Sequence, residues 1–429
     1  MKSGLQQPPA KTFAAECDTA VLGAGVVGMC TAYALARRGH RVLLVDREAG
    51  PARRASFANG AQLSYAYSDA LGSPGLLRKL PSLVLGSDPL FRVRFSLDPD
   101  FLRWGLRFLQ SCSASAYEAG TLETLSLALE SRLALHALLQ RHSIAFGHAV
   151  PGKMHLYYDK SALSEAATMV ALKRKHGAMQ DVLSAREARA LEPALHGAHG
   201  LEGVVFSPDD EVGDPYLFCQ GLMNVLRDQY QVQTLFETEV VDANPSADGV
   251  VVSDSRGNTI LARNVVVALG TGSNPMLRKL GLRAQIQPLK GYSFTAAKGP
   301  AAPQVSITDT ARKLVFCNLT GKIRVAGGAE LGNRDQRPDP AWLARLFAAA
   351  RASLPDAVDF NKMESSWSEL RPMSATSVPM VRKMAPWLVL NIGHGMLGWT
   401  LAMGAAERAA RLVIADNRNA DGPLASAAQ

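Results

Sequence analysis

The stretch "DTAVLGAGVVGMCTAYALARRGHRVLLVDREAG", residues 18–50, decides the architecture. Residues 19–23, Thr-Ala-Val-Leu-Gly, form a short apolar run suited to a buried parallel strand. Gly23, Gly25 and Gly28 follow at GxGxxG spacing. The first lets the chain turn, the second admits a pyrophosphate to the backbone, and the third lets helix and strand pack closely. Val26 to Arg38, rich in alanine and leucine, predicts a helix whose N-terminus, with Val26 and Val27, faces the phosphates. Gly39 stops it, and Arg41–Val45 is the second strand. Asp46 closes that strand 21 residues after Gly25, where a carboxylate accepts a hydrogen bond from a ribose hydroxyl and disfavours a 2′-phosphate. A glycine pattern alone is an ordinary tight turn. Strand, turn, helix, strand and acid in order over residues 19–46 point to a dinucleotide, without separating NAD from FAD.

The whole chain is consistent with this. At 429 residues it is long for one core and suggests two interleaved or consecutive domains. With 47% hydrophobic and 20% charged residues it is a folded globular protein, and its 36 glycines and 23 prolines are scattered as turn markers. The net charge of +8 is a modest bias. No Lys/Arg block alternates with aromatics, so no nucleic-acid groove is expected; an acidic substrate or an anionic membrane surface fits the charge. Cys17, Cys30, Cys112, Cys219 and Cys317 show neither metal-ligand nor redox-motif spacing. They read as reduced, structural thiols of a protein on the cytoplasmic side, and no metal set is expected. Residues 1–17 form a polar leader unlike a secretory signal, and no run of 18 uncharged apolar residues would span a bilayer. Peripheral inner-membrane attachment stays open.

Four further stretches carry a resemblance: "REAGPARRASFANGAQLS" at 47–64, "LSAREARALEPAL" at 183–195, "LKGYSF" at 289–294 and "LNIGHGMLGWTLA" at 390–402. Together with the opening turn they resemble the FAD-dependent amine and D-amino acid oxidoreductase superfamily. More narrowly, they are similar to the small catalytic subunit type of bacterial D-amino acid dehydrogenase, over residues 18 to 413. The resemblance implies an α/β fold: a discontinuous Rossmann-like FAD-binding domain with an α+β substrate and cap domain, D-amino acid oxidase-like. Expected boundaries are a leader at 1–17, FAD-binding parts at 18–76, 186–284 and 386–415, a cap segment at 77–185, a substrate-domain sheet at 285–385 and a polar tail at 416–429.

Independent patterns fit a discontinuous cofactor domain. Val265–Leu269 is an apolar strand ending at Gly270, where a side chain would obstruct a cofactor. Trp387–Ile392 is another buried strand; Gly393–Gly395 turn the chain, and Leu397–Val413 is a helix. Val240, together with Ala268 and Gly270 of the first of these segments, is expected at the cofactor. The resemblance sets Gly395, Met396 and Leu397 at the flavin's pyrimidine side, where backbone N–H groups and a helix dipole stabilise the negative charge of reduction. It also brings Ser56, Asn59, Gly60, Ala61 and Gln62 to the ribityl chain and ring. Arg47 reaches the adenine-side phosphates or caps the surface. No histidine or cysteine occupies 55–62, so non-covalent FAD is expected. His394 is either a donor facing substrate or flavin, or a turn histidine with structural hydrogen bonds.

In the substrate half, "LDPDFLRWGLRFLQSC" (97–112) has apolar residues at helical spacing with Arg103 and Arg107. A buried amphipathic face is the plain reading, and a lipid-facing one with Phe, Trp and Leu anchors the other. Leu125–Leu139 is a second helix; Asp214 and Pro215 start a third; Pro338 and Pro340 introduce a fourth from Ala341. Residues 286–295 and 313–329 read as strands of a platform. By resemblance, Arg371 in "SWSELRPMSATSVPMV" holds the substrate carboxylate with two charge-assisted hydrogen bonds; a structural ion pair is its other reading. Tyr292 and Lys290 belong to the Lys-Gly-Tyr-Ser pattern as pocket candidates, with a core tyrosine and local charge balance as alternatives. Ser374–Ser377 replace the family's Thr-Pro-Asp-Gly turn, which opens room for a cyclic or unusual D-amino acid or an N-substituted glycine.

The implied chemistry is oxidation of an amino or imino acid, with hydride passing from Cα to flavin N5. The imine then hydrolyses to a 2-oxo acid and ammonia. This needs orientation and a neutral amine more than a strong base. Electrons leave to quinone or another carrier. An oxygen-using oxidase and a non-catalytic FAD-bound assembly subunit are the alternatives.

Overall fold

The computed structural model describes residues 15–77 and 88–420. Residues 1–14 of the leader, part of the cap segment and the end of the polar tail lie outside them. The opening strand runs Ala15–Leu22, beginning inside the expected leader, and pairs in parallel with Val42–Val45 on one side and Thr259–Val267 on the other. The sheet continues through Gln233–Leu235 at one end and the antiparallel meander Val240–Ser246/Gly249–Asp254 at the other. Leu388–Ile392 pairs in parallel with Thr259–Val267, so a segment from near the end of the chain completes a sheet begun at residue 15.

One face of this sheet is covered by helices. Val26–Ala36 packs against Gly398–Ala420, which packs against Ala114–Arg141, and Pro215–Tyr230 lies beside the first of these. Their small residues allow close approach: Ala32, Ala34, Ala402, Ala405, Ala406 and Ala409 are all fully buried. Glu407 on the C-terminal helix accepts from Arg37, 2.8 Å away at both oxygens, and pairs with Arg38, locking that helix to the end of the first. The C-terminal helix extends to Ala420, past both the expected end at Val413 and the start of the tail.

A second sheet of nine strands carries the other half. Its spine is Val358–Ser374, Ile286–Lys298, Lys322–Leu331 and Leu314–Leu319, all antiparallel, continuing through Ser306–Asp309, Lys153–Tyr157, Gly203–Ser207 and Asp181–Ser184. Helix Pro340–Ser353, capped by Asp339 accepting from Ala341 N–H at 2.9 Å, packs on it through Trp342 and Leu346. Two expected boundaries move. The cut at 186 fails because Gly203–Ser207 still pairs within the substrate sheet, and the chain crosses back only near Pro215. The cut at 386 splits a hairpin, since Met380–Ala385 pairs with Leu388–Ile392.

Helix Pro99–Ser111 is apolar on two sides. Phe101, Trp104 and Phe108 are buried, with the Trp104 indole N–H donating to Met373 O at 3.0 Å, whereas Leu102, Leu106 and Leu109 are exposed. The plain reading therefore accounts for Phe101, Trp104 and Phe108 and leaves Leu102, Leu106 and Leu109 outside it. No described helix is long and apolar enough to cross a membrane.

Candidate active site

A cleft enclosing about 320 Å³ runs along the ends of the parallel strands and down to the substrate sheet. Its floor is the glycine turn. Gly23 has φ +105°, and a Cβ there would stand 2.5 Å from the Ala268 carbonyl oxygen; a Cβ on Gly28 would stand 1.7 Å from Gly23 O. These glycines let two strand ends and the first helix converge. Gly25 precedes that helix with no side chain capping it. Val26 N–H donates to Ser56 Oγ at 3.1 Å, and Val27 lies beside it on the cleft wall. Asp46 accepts from Ala24 N–H at 2.5 Å and Glu48 N–H at 2.8 Å, while burial raises its carboxyl above the usual range.

The wall beyond is formed by Arg47, Asn59, Val240, Ala268 and Gly270. Arg47 stands 3.6 Å from Glu48 Oε1. Three other cleft residues escaped the sequence reading: Arg54 donates to Glu48 and to Gln336 Oε1, both at 2.5 Å, and lies 3.6 Å from Glu369. Trp399, whose indole N–H donates to Gly213 O at 3.0 Å, and Asn391 complete the far side. All three lie in stretches that carry the resemblance, 47–64 and 390–402, but which side chains of those stretches face the cleft is set by tertiary packing.

At the end of the cleft that meets the nine-stranded sheet stand Arg371 and His394. Strand Val358–Ser374 pairs Arg371 with Leu289 and Glu369 with Gly291, so the Arg371 guanidinium lies over Gly291, where a Cβ would meet Nη2 at 2.2 Å. No carboxylate pairs with Arg371 among the described residues, and burial alone lowers its pKa to about 10. The ion-pair reading therefore has no partner. His394 is buried, its Nε2 finds no hydrogen-bond partner among the described residues, and burial depresses its pKa to about 4. It is a neutral imidazole at any ordinary pH. Gly395 and Met396 line the cleft just beyond it.

Six expected site residues do not line this cleft. Tyr292 sits on the opposite face of Ile286–Lys298 from Arg371, because side chains alternate along a strand. Its ring stacks on Trp342 at 5.6 Å, and its hydroxyl donates to Glu330 Oε1 at 2.6 Å. Tyr292 is a core tyrosine, and Lys290 beside it donates to Arg337 O at 2.6 Å. Gly60, Ala61 and Gln62 leave the cleft after Asn59: Ala61 is fully buried at φ +56°, and Gln62 pairs with Val212 and donates to Ser306 Oγ at 2.6 Å. Leu397 turns into the helical core, and Gly28 serves helix–strand packing.

Residues 18–412 match the FAD dependent oxidoreductase family. The chain belongs to that family. It is 39% identical over 412 residues to D-amino acid dehydrogenase 2 of Ralstonia nicotianae, covering 92% of this chain and 95% of that protein. It is 37% identical over 398 residues to the D-amino acid dehydrogenase of Paramagnetospirillum magneticum, covering 92% and 94%. Among solved structures it is similar to glycine oxidase from Geobacillus kaustophilus (TM-score 0.74, 21% identity, covering 94% and 95%). It is also similar to L-proline dehydrogenase from P. horikoshii (TM-score 0.73, 15% identity, 94% of each chain). These two likenesses are of fold.

The cofactor of this oxidoreductase family is FAD, and the residues present fit it. The first helix turns its N-terminus to the cleft with no capping side chain from Gly25, Val26 N–H resting on Ser56 Oγ, and Gly25 leaves the space a side chain would fill, with Ser56 Oγ 3.6 Å from the missing Cβ. Asp46 lines the same cleft at the end of the second strand. Asn391 Oδ1 and His394 Nε2 are buried polar atoms on the cleft without partners among the described residues, as groups awaiting a polar ligand are. All five cysteines are buried and none lines the cleft.

Proposed function

We propose that this FAD-dependent oxidoreductase is a D-amino acid dehydrogenase, converting a D-amino or cyclic imino acid to its imine and passing the electrons to quinone or another carrier. Whole-length similarity to proteins named for that activity supports the class. The observation that carries the reading is Arg371: a guanidinium without a carboxylate partner, in the same cleft as the dinucleotide turn.

Arg371 presents a planar pair of donors to the substrate carboxylate and fixes the Cα–H direction. FAD, when bound, supplies the acceptor for the hydride that leaves Cα. His394, neutral because it is buried, offers a hydrogen bond to the substrate without adding a positive charge beside the amine. The first amides of the turn Gly395–Leu397 and the dipole of helix Gly398–Ala420 favour negative charge at the cleft. Water then hydrolyses an acyclic imine to a 2-oxo acid and ammonia. The Ser374–Ser377 turn is drawn onto the Pro99–Ser111 helix and its approach, with Ser111 Oγ donating to Ala375 O at 3.1 Å and Leu71 N–H to Ser377 Oγ at 3.0 Å. It holds the wall next to the anchor without an acidic group.

The same proposal includes peripheral contact with the cytoplasmic face of the inner membrane. Leu102, Leu106 and Leu109 are exposed near Leu97, 89% exposed, and Phe95, with Arg107 exposed on the same helix for anionic headgroups and Arg103 paired with Asp100 at 2.7 Å. Co-sedimentation with anionic vesicles, lost in Leu102→Glu/Leu106→Glu, tests this; equal recovery of both proteins with the vesicles contradicts it. The acceptor is tested by reoxidising the substrate-reduced enzyme with a soluble quinone and with oxygen: a dehydrogenase reacts much faster with the quinone, an oxidase with oxygen.

A further inference from the structure

Away from the cleft, three side chains from separate elements converge. His136 lies on helix Ala114–Arg141, His148 in the loop before strand Lys153–Tyr157, and Glu211 on the short strand Glu211–Val212. His136 Nε2 is 2.6 Å from Glu211 Oε1 and His148 Nε2 is 2.8 Å from Oε2, and the three donor atoms lie within 4.8 Å of one another. The geometry points to a binding site for one divalent transition-metal ion of the zinc class, held by His136, His148 and Glu211.

The donor chemistry fits that class. Two imidazole nitrogens and one carboxylate are a ligand set zinc uses, with the fourth position left to water. The Glu211 side chain is fully shielded, while the imidazoles are 38% and 25% exposed, so the carboxylate is the floor and the two rings the mouth. Arg132 Nη1 is engaged by Asp209 at 2.8 Å, and its Nε stays 3.6 Å from Glu211. Tyr65 Oη, 3.3 Å from Oε2, donates to the carboxylate and orients it, as outer-shell groups do in metal sites. Metal–ligand lengths of about 2.0–2.1 Å at tetrahedral angles set N···O separations of about 3.3 Å. To reach that geometry the 2.6 and 2.8 Å contacts lengthen, and donor atoms now spread within 4.8 Å of one another draw together, which the partly exposed imidazoles do by side-chain rotation. On binding, each imidazole keeps one proton, on Nδ1, and presents its Nε2 lone pair to the ion, a proton on Nε2 being exchanged through solvent; the two hydrogen bonds to Glu211 give way to two metal–nitrogen bonds and one metal–carboxylate bond.

The ion's role is a clamp. Val212, next to Glu211, exchanges hydrogen bonds with Ala149 at 3.1 and 3.0 Å and pairs with Gln62. Gly213 N–H donates to Ala61 O at 3.0 Å, and Gly213 O accepts from Trp399 of the cleft. A metal on Glu211 therefore ties helix Ala114–Arg141, which packs over the cofactor sheet, to the strand that backs the cofactor cleft. None of its three ligands lines that cleft, so binding stabilises the fold and leaves the chemistry alone.

The test uses the untagged, FAD-loaded protein, stripped with a chelator and titrated with Zn²⁺, with bound metal counted after buffer exchange. One equivalent is expected in the wild type and in His176→Ala, an exposed histidine elsewhere, and it should vanish in His136→Ala/His148→Ala. At about 100 times Kd, zinc should raise the thermal midpoint by about 3 °C in the wild type and leave the double variant unmoved. Unchanged flavin content in the variants certifies their fold, so buried Glu211 need not be altered. Co²⁺ should give d–d bands to the red of the flavin absorption in the wild type only. Failure of the wild type to take up an equivalent, or its persistence in the double variant, overturns the assignment and leaves two imidazoles hydrogen-bonded to a carboxylate.

Discussion

Gly291→Ala tests the placement of the substrate anchor without touching the anchor. Gly291 lies in the middle of a buried strand at an ordinary negative φ, so alanine suits its backbone and, within a strand, costs nothing in conformational entropy. The new methyl would stand 2.2 Å from Arg371 Nη2, 2.3 Å from Cζ and 2.8 Å from Nε, against the 3.4 Å at which ordinary contact begins. The guanidinium, the free end of a long side chain, has to retreat by about 1.2 Å. A misplacement of about 1 Å at a positioning group costs on the order of 10²-fold, close to 3 kcal/mol of transition-state stabilisation. We expect kcat/KM for the preferred amino acid to fall by that factor while flavin content and thermal midpoint hold. In Arg371→Ala the added methyl should cost nothing further, because it has nothing left to displace. Steady-state kinetics on wild type, both single variants and the double variant decide it. If Gly291→Ala stays within twofold of wild type while Arg371→Ala fails, or if the two losses add, the carboxylate is not held where Arg371 now stands.

Other consequences follow from single groups. His394 has its pKa lowered from 6.5 to about 4, so the unfolded chain binds its proton first and the fold loses stability as pH falls from the unfolded value toward the folded one. This one group should cost about 2 kcal/mol between pH 7 and pH 5, and His394→Gln should remove that part of the acid sensitivity; equal losses in both proteins would refute it. Asp46→Ala removes the acceptor for Ala24 and Glu48 N–H together with the ribose contact, and FAD affinity should drop roughly 10–100-fold, read as flavin lost on dialysis. Acid precipitation should leave all flavin in the supernatant; flavin in the protein pellet would contradict non-covalent binding. Both Arg371→Ala and Arg371→Lys should retain FAD, since the anchor faces substrate.

The dinucleotide half was legible because its signal is local. Every part of the turn lies within residues 19–46; Gly23 and Gly28 are explained by what a Cβ would hit, and Gly25 by the space it leaves open. Arg371 was legible by resemblance, and the absence of an acid partner could not be foreseen. Tyr292 was misjudged by phase: Leu289 and Gly291 share the Arg371 face, Lys290 and Tyr292 take the other, and only the observed register says which. Gly60–Gln62 have the polar, small composition of a cofactor loop, yet the left-handed Ala61 carries the chain away to pair with Val212. The ion network of Glu48, Arg54 and Glu369 joins three distant segments, and no spacing rule connects them. The same holds for His136, His148 and Glu211, whose separations in the chain match no metal motif. Expected domain cuts failed where strands of one sheet come from both sides of the cut.

The most direct test of the central claim is anaerobic mixing of the FAD-loaded enzyme with D- and L-amino acids, cyclic imino acids and N-methylglycine, before any acceptor is added. The account predicts that the flavin's visible absorption band bleaches with a D-amino or cyclic D-imino acid, that the L-enantiomer leaves it unchanged, and that Arg371→Ala binds FAD but no longer bleaches at the same substrate concentration. A fully flavin-loaded enzyme that no amino or imino acid reduces, or an Arg371→Ala variant reduced as readily as wild type, would contradict it.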